Sequence, residues 1–467
     1  MNIQGNNKSV ILIACLIGLL IIQFNKTNLL IIGVFFAMLF FLITVFKRNF
    51  SSAVKALLYF IIVTIPFPLL LQVLGRDAIT LTTVAIFFLS LIFFVFGPFH
   101  GSSIDSLDKT LVVCPVLLII CFSLSIGLNP SFLGQNFRYY VANLSGVFLF
   151  FLVLATLKTK EEVLLAIKLI LWVLLIQAFM AFLQLKLPGL AELILVPFRT
   201  RTFYGGIDNV NGILRSTGTM WDYELLAEWF LLGIILSFAL IYESQKKRYM
   251  FFTIANLIGI IFTKTRSGFI LFFALFIILF LLTLKKDRRA LSLKILFIIG
   301  LLISLSSFFI FPEIKLLYER LLTYFSSAHL LSAEAINRKQ VWNEGFHRFL
   351  VSPTLLGRGF YDIESLNIDT LGSFHSLYLT ILYKTGIVTL LVYFIFWVRM
   401  LYLSWNRLFL KQKASNWYIL FFLFIAVIFM LVDNFKIEYV RYAHTIQFAW
   451  LLYGLLVVSI RQSTEKS

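Results

Sequence analysis

Long apolar runs recur from one end of this chain to the other, each closed by a short polar or basic stretch. Their boundaries predict spans at 9–24, 28–46, 54–74, 78–99, 110–128, 141–157, 163–187, 223–242, 249–263, 267–284, 293–311, 375–398, 417–433 and 441–460. Helices of this length cross a hydrocarbon core about 30 Å thick. A transmembrane barrel would instead alternate apolar and polar residues in shorter segments. The pattern therefore predicts an all-α, polytopic integral membrane protein. The third span holds Pro66 and Pro68, which neighbouring helices tolerate only with a kink or break. The count is accordingly twelve, thirteen or fourteen. The first run follows a single Lys8 and has no small-residue cleavage site, so it reads as a retained span rather than a signal peptide.

Composition agrees with the pattern. Of 467 residues, 60% are hydrophobic and 13% charged, against about 45–50% and 25% in soluble domains. The formal net charge of +18 would suggest nucleic acid in a soluble protein; here it belongs to loops on two sides of a bilayer, and no nucleic-acid partner is expected. With the N-terminus in the cytoplasm, the positive-inside rule gathers most short basic clusters on the inner side: Lys47, Arg48 and Lys55; Lys158 and Lys160; Lys246, Lys247 and Arg248; Lys285 to Arg289; Arg399, Arg407, Lys411 and Lys413. An even count returns the C-terminus to the cytoplasm. Segments 188–222 and 312–374 fall outside, long enough to translocate largely regardless of charge. Cys15, Cys114 and Cys121 lie within apolar spans and offer neither a disulfide framework nor metal-ligand spacing. The chain divides into N-terminal spans 1–187, a region 188–398 that contains the outer loop 312–374, and C-terminal spans 399–467.

Basic residues on the outer side are mostly arginine, including Arg138, Arg215, Arg266, Arg338 and Arg358. The planar guanidinium suits phosphate, whereas lysine is a hydrated point charge. Contact with anionic headgroups or with outer acids is the plainer reading of any one of them. Within the large loop, a helix is predicted after Ser332, running through "AEAINRKQVWNEGFHRFL" and ending before Pro353. It places Arg338, Trp342 and Phe346 on one face. Gly357 and Gly359 then bracket Arg358 in a predicted tight turn, where glycine permits close backbone approach.

These residues resemble the O-antigen polymerase and O-antigen ligase superfamily. The resemblance rests on "RKQVWNEGFHRFLVSPTLLGRGF", then an insert, then "FHSLYLTILYKTG", in which His375–Ser376 opens a span and Gly386 follows ten positions after Ser376. Thr389 stands where a second glycine is frequent. Upstream, "TKTRSG" at 263–268 resembles the family's turn between spans, with Thr265 where serine is usual. "RSTGTMWDYELLA" at 215–227 resembles its Arg–Gly segment, with an acidic stretch where asparagine is frequent. The order of motifs covers about 205–395; the first 200 residues match only as hydrophobic spans.

The resemblance implies a GT-C-like glycosyltransferase at the outer face of the cytoplasmic membrane, with no cofactor and no essential metal. Its donor would be a glycan on undecaprenyl pyrophosphate. A polymerase passes the growing chain to the next lipid-linked repeat; a ligase passes it to lipid A core. Partners are this lipid-linked glycan, the bilayer and a chain-length regulator. Cations must stabilise the leaving pyrophosphate, with Arg266, Arg338 and Arg215 as candidates. His375 is the candidate base; binding a phosphate oxygen or capping a helix are its other readings. Glu224, on one helix face with Glu228, is a second candidate base or a partner to an outer arginine, and interface solvation also explains it. Trp342, Arg358 and Lys384 are candidate substrate contacts. Membrane packing is the plainer role of Trp342, and pairing within the bundle that of Lys384. A lipid-linked oligosaccharide flippase is the rival from another class; its repeated halves and short loops have no counterpart here.

Overall fold

The computed structural model describes residues 50–68, 70–73, 76–96, 108–128, 133–195, 207–210, 213–220, 222–265, most of 342–359, 376–410, 416–435 and 442–463. These residues build a helical bundle: α1 Phe50–Thr64, α2 Leu81–Phe96, α3 Lys109–Gly127, α4 Leu133–Thr156, α5 Lys160–Lys186, α6 Pro188–Leu195, α7 Tyr223–Ser244, α8 Met250–Thr263, α9 Leu377–Trp405, α10 Trp417–Asp433 and α11 Ala443–Gln462. Among the described residues, six helices are long and apolar enough to cross a membrane: α3, α4, α5, α7, α9 and α11. Three shorter apolar helices, α1, α2 and α10, accompany them. The chain is an integral membrane protein of the all-α polytopic class.

Two antiparallel hairpins interrupt the helices: β1 Leu70–Val73 with β2 Arg76–Thr80, and β3 Ile207–Val210 with β4 Ile213–Ser216. The first corrects the expected span 54–74. Pro66 and Pro68 follow the last turn of α1; each lacks the amide that would extend the ladder and its ring crowds the carbonyl four residues back, and with two so close α1 ends at Thr64 and the chain turns into a hairpin. The same hairpin delays the expected span 78–99, which begins as α2 at Leu81. The predicted spans 9–24, 28–46, 267–284 and 293–311 lie outside the described residues.

Local chemistry sets the helix ends. Thr159 caps α5 in a capping box: its hydroxyl accepts from the Glu162 amide at 3.3 Å, and the Glu162 carboxylate accepts from the Thr159 amide at 3.0 Å. Such a box satisfies two of the first-turn amides that helix geometry orphans. Asp222 caps α7, accepting from the amides of Glu224 at 2.8 Å and Leu225 at 3.2 Å. Asp108 caps α3 by accepting from Thr110 at 3.0 Å.

Contacts between helix ends reveal the order of the bundle. At one end, Lys55 pairs with Glu162 and Lys160 pairs with Glu243. Arg461, near the close of α11, donates to the carbonyls of Leu154 and Leu157 at 3.1 and 2.7 Å. Arg399 binds Asp108, and Asn416 donates to Ser459 at 2.9 Å. The described basic clusters at Lys55, Lys158, Lys160, Arg399 and Arg461 therefore collect at this end. At the opposite end, Gln177 and Gln184 reach the segment after β4, Leu377 donates to the Asn434 carbonyl at 2.9 Å, and Ser125 donates to the Lys384 carbonyl at 3.0 Å. The arrangement alternates as the charge pattern requires.

The interior is aromatic and close-packed. Trp229 stacks on Phe448 with centroids 3.8 Å apart, joining α7 to α11. Gly146 of α4 lies against Trp450 of α11, so a Cβ there would stand 2.3 Å from the indole. Small residues that admit close backbone approach are a standard device between membrane helices.

Candidate functional site

Two neighbourhoods at the end away from the basic clusters hold the described candidate residues. The first surrounds Arg215, the penultimate residue of β4. Its side chain is buried, with the guanidinium 4.4 Å from the centre of the Tyr223 ring. A cation over an aromatic face gains electrostatic attraction, more so when desolvated. Among the described residues, Arg215 Nε is buried without a hydrogen-bond partner, as are the Ser216 hydroxyl and Trp229 Nε1. Buried donors are nearly always satisfied, so donors left unmatched by protein groups suit an acceptor brought from outside. A guanidinium in that state favours an anion with several oxygens.

Tyr223 ties two expected motifs together. Its carbonyl accepts from the Thr265 hydroxyl at 3.4 Å. Thr265 follows Lys264, whose left-handed φ of 52° closes α8. The "TKTRSG" turn thus begins beside the "RSTGTMWDYELLA" segment. Glu224, half-buried in the first turn of α7, and Glu228, buried one turn deeper, lie on the same helix. A carboxylate inside a membrane protein is costly and usually functional.

The second neighbourhood surrounds Gly386. Within α9 this residue takes φ 88° and ψ 172°, a region essentially reserved for glycine. It breaks α9 into Leu377–Thr385 and the longer part that follows. Thr354, Leu355, Gly357 and Gly359, from the segment predicted as the outer loop, pack into the break. Gly359 donates to the Lys384 carbonyl at 2.9 Å, while Ile387 and Val388 donate to the carbonyls of Thr354 and Leu355 at 3.4 and 3.2 Å. A Cβ on Gly386 would stand 2.2 Å from the Leu355 oxygen, and one on Gly357 would stand 2.2 Å from the Lys384 oxygen. Broken helices persist in membranes only where protein groups re-satisfy the freed backbone, and here the loop does so. The spacing from Ser376 to Gly386 therefore has a physical cause: it fixes where the loop docks.

Lys384 sits in this break, buried, its ammonium 4.7 Å from the centre of the Tyr139 ring. Trp342 is half-buried on a helical stretch whose Phe346 and Leu350 are exposed. The structure thus brings Arg215 and Glu224 into one neighbourhood and Lys384 with the Gly357–Gly359 turn into another. His375, Arg266, Arg338 and Arg358 lie outside the described residues. They are nonetheless bonded to described ones: His375 precedes Ser376, Arg266 follows Thr265, and Arg358 stands between Gly357 and Gly359.

Gln177 and Gln184 were missed by sequence reasoning. Both are buried on α5 and bind the backbone just after Arg215. The signal was present: two amides seven residues apart, hence on one face, inside an apolar run.

No curated protein matches the chain. Residues 251–394 match the family model described as O-antigen ligase. That segment runs from the second residue of α8, through the Gly386 break and into the second part of α9, and it includes the motifs on which the resemblance to O-antigen polymerases and ligases rests.

Proposed function

We propose that this protein is a membrane glycosyltransferase that polymerises glycan repeats carried on a polyprenyl pyrophosphate, at the membrane face opposite its basic clusters. The observation that carries this reading is Arg215, a buried guanidinium with an unmatched donor, held beside the turn that leads into Arg266. A lipid pyrophosphate is the leaving group such cations would stabilise. Arg266 and Arg338 complete the anion site in this proposal. His375 takes the proton from the acceptor hydroxyl, and Glu224 orients an arginine or serves as the alternative base. Trp342, Arg358 and Lys384 contact the substrate. The donor is an undecaprenyl-linked glycan, and the enzyme resides in a bacterial cytoplasmic membrane with both termini inside.

Ligase activity is the second reading, favoured by the description of the matching family model. The departure at Thr389 leans toward the polymerase: threonine, donating to the Thr385 carbonyl at 2.7 Å, stands where a second glycine is frequent. Glycan analysis of a deletion strain separates the two. Surface glycans reduced to single capped repeats indicate a lost polymerase. Full-length polymer stranded on its lipid carrier indicates a lost ligase, and an unchanged glycan profile contradicts both.

A further inference from the structure

The segment after Arg215 is held by side chains rather than by its own sheet. Gln184 Oε1 accepts from the amides of Thr217 at 3.1 Å and Gly218 at 2.8 Å, and its Nε2 donates to the Gly218 carbonyl at 3.0 Å. Two turns earlier on α5, Gln177 Oε1 accepts from the Thr219 amide at 3.1 Å. Its Nε2 donates to the Thr219 hydroxyl at 2.7 Å and to the Pro66 carbonyl at 3.2 Å. The Thr219 hydroxyl donates to the same Pro66 carbonyl. Two glutamines thus bind three consecutive residues, Thr217 to Thr219, and fasten them to the end of α1.

Gly218 is fitted to this contact. Its φ is 57°, and a Cβ there would stand 2.5 Å from Gln177 Oε1. Both glutamines are essentially fully buried. Burying an amide in an apolar setting is costly unless it is hydrogen-bonded, and both amides hydrogen-bond to this segment, Gln177 also to Pro66. The β3–β4 hairpin has four residues in each strand. A lone two-stranded hairpin is marginal, so it cannot by itself hold Arg215.

We infer that Gln177 and Gln184 are positioning residues for the anion site: they clamp the 217–219 backbone and so hold Arg215 over Tyr223, where the donor pyrophosphate binds. This rests on the glycosyltransferase reading above. Misplacement of a binding group by about 1 Å costs on the order of 100-fold in rate, so a loosened clamp should imitate loss of the arginine.

The test is a double-mutant cycle on the full-length protein reconstituted in liposomes, assayed with a polyprenyl-pyrophosphate-linked glycan as donor and, varied separately, a simple glycoside of the repeat unit as an acceptor that has no pyrophosphate to lose. Arg215→Ala and Gln184→Leu should each raise the donor KM and lower kcat on the order of 100-fold, with the acceptor KM unchanged. The double variant should lose little more than either single one, because residues acting as a unit are not additive. Gln184→Glu, kept as the neutral acid by the same burial, retains the oxygen that accepts both amides and an O–H donor for the Gly218 carbonyl, and should lose no more than about ten-fold, the worth of one hydrogen bond; it also serves if Gln184→Leu does not fold. Multiplying losses, or a fall in kcat with donor KM unchanged, would make the clamp a purely structural brace and overturn the inference. Wild-type kinetics in Arg215→Ala would remove that arginine from the site, and the inference with it. Absence of transfer by the wild-type protein would instead count against the glycosyltransferase reading itself.

Discussion

Single residues decide how this chain departs from a plain bundle of apolar helices. Gly386 is the clearest case, since both its φ and the Leu355 oxygen exclude a side chain. Gly386→Ala should cost about 1–3 kcal/mol from backbone strain alone, and more from the clash. It should lower the thermal midpoint in detergent and abolish polymer formation; a variant of wild-type stability and activity would contradict the docking of segment 354–359 into the break. His375→Ala should abolish polymer while leaving membrane insertion intact, and wild-type chain length in that strain would remove His375 from the chemistry. Candidate residues were legible because intramembrane charge and an Arg–Gly or His–Ser pairing stand out in an apolar sequence. Gln177 and Gln184 were not, because neutral amides within an apolar run announce no ligand, and their partner is backbone.

Helices and their ends were legible wherever caps and apolar length agreed. The span predicted at 417–433 is α10 to the residue, and 110–128 is α3 with one position shifted at each end. The prediction failed at 65–80, where proline and short strands decide the path and hydropathy alone carries no sign of a hairpin. A further test belongs to the α3–α9 pair. Asp108 caps α3 and binds Arg399 through Nε at 3.0 Å and a terminal nitrogen at 2.5 Å. Its hydrogen bond with Arg399 is the largest influence holding its carboxyl below the usual range, ahead of the opposing effect of burial. A depressed carboxylate stabilises the fold above its unfolded pKa, and that contribution disappears as pH falls through the folded value. Asn caps a helix about as well as Asp, so Asp108→Asn isolates the ion pair. It should cost about 0.2–1 kcal/mol at pH 7, as partly exposed pairs do, and nothing at a pH below the folded value. An equal cost at both pH values would assign the effect to something other than the pair.

Across the whole molecule, the alternating directions of the described helices separate a basic end from an end that holds Arg215, Glu224, Lys384 and the docked loop. The positive-inside rule predicts that the basic end faces the cytoplasm. In a cysteine-free background, cysteine at exposed Asn343 should react with an impermeant thiol reagent in intact spheroplasts, and cysteine at exposed Lys247 only after lysis. The reverse pattern would invert the topology. Reconstitution separates glycan transfer from transport. The purified protein in liposomes, supplied with polyprenyl-pyrophosphate-linked repeat units alone, should convert them into a ladder of longer lipid-linked glycans. Movement of intact repeat units across the bilayer, with no lengthening, would contradict the glycosyltransferase reading.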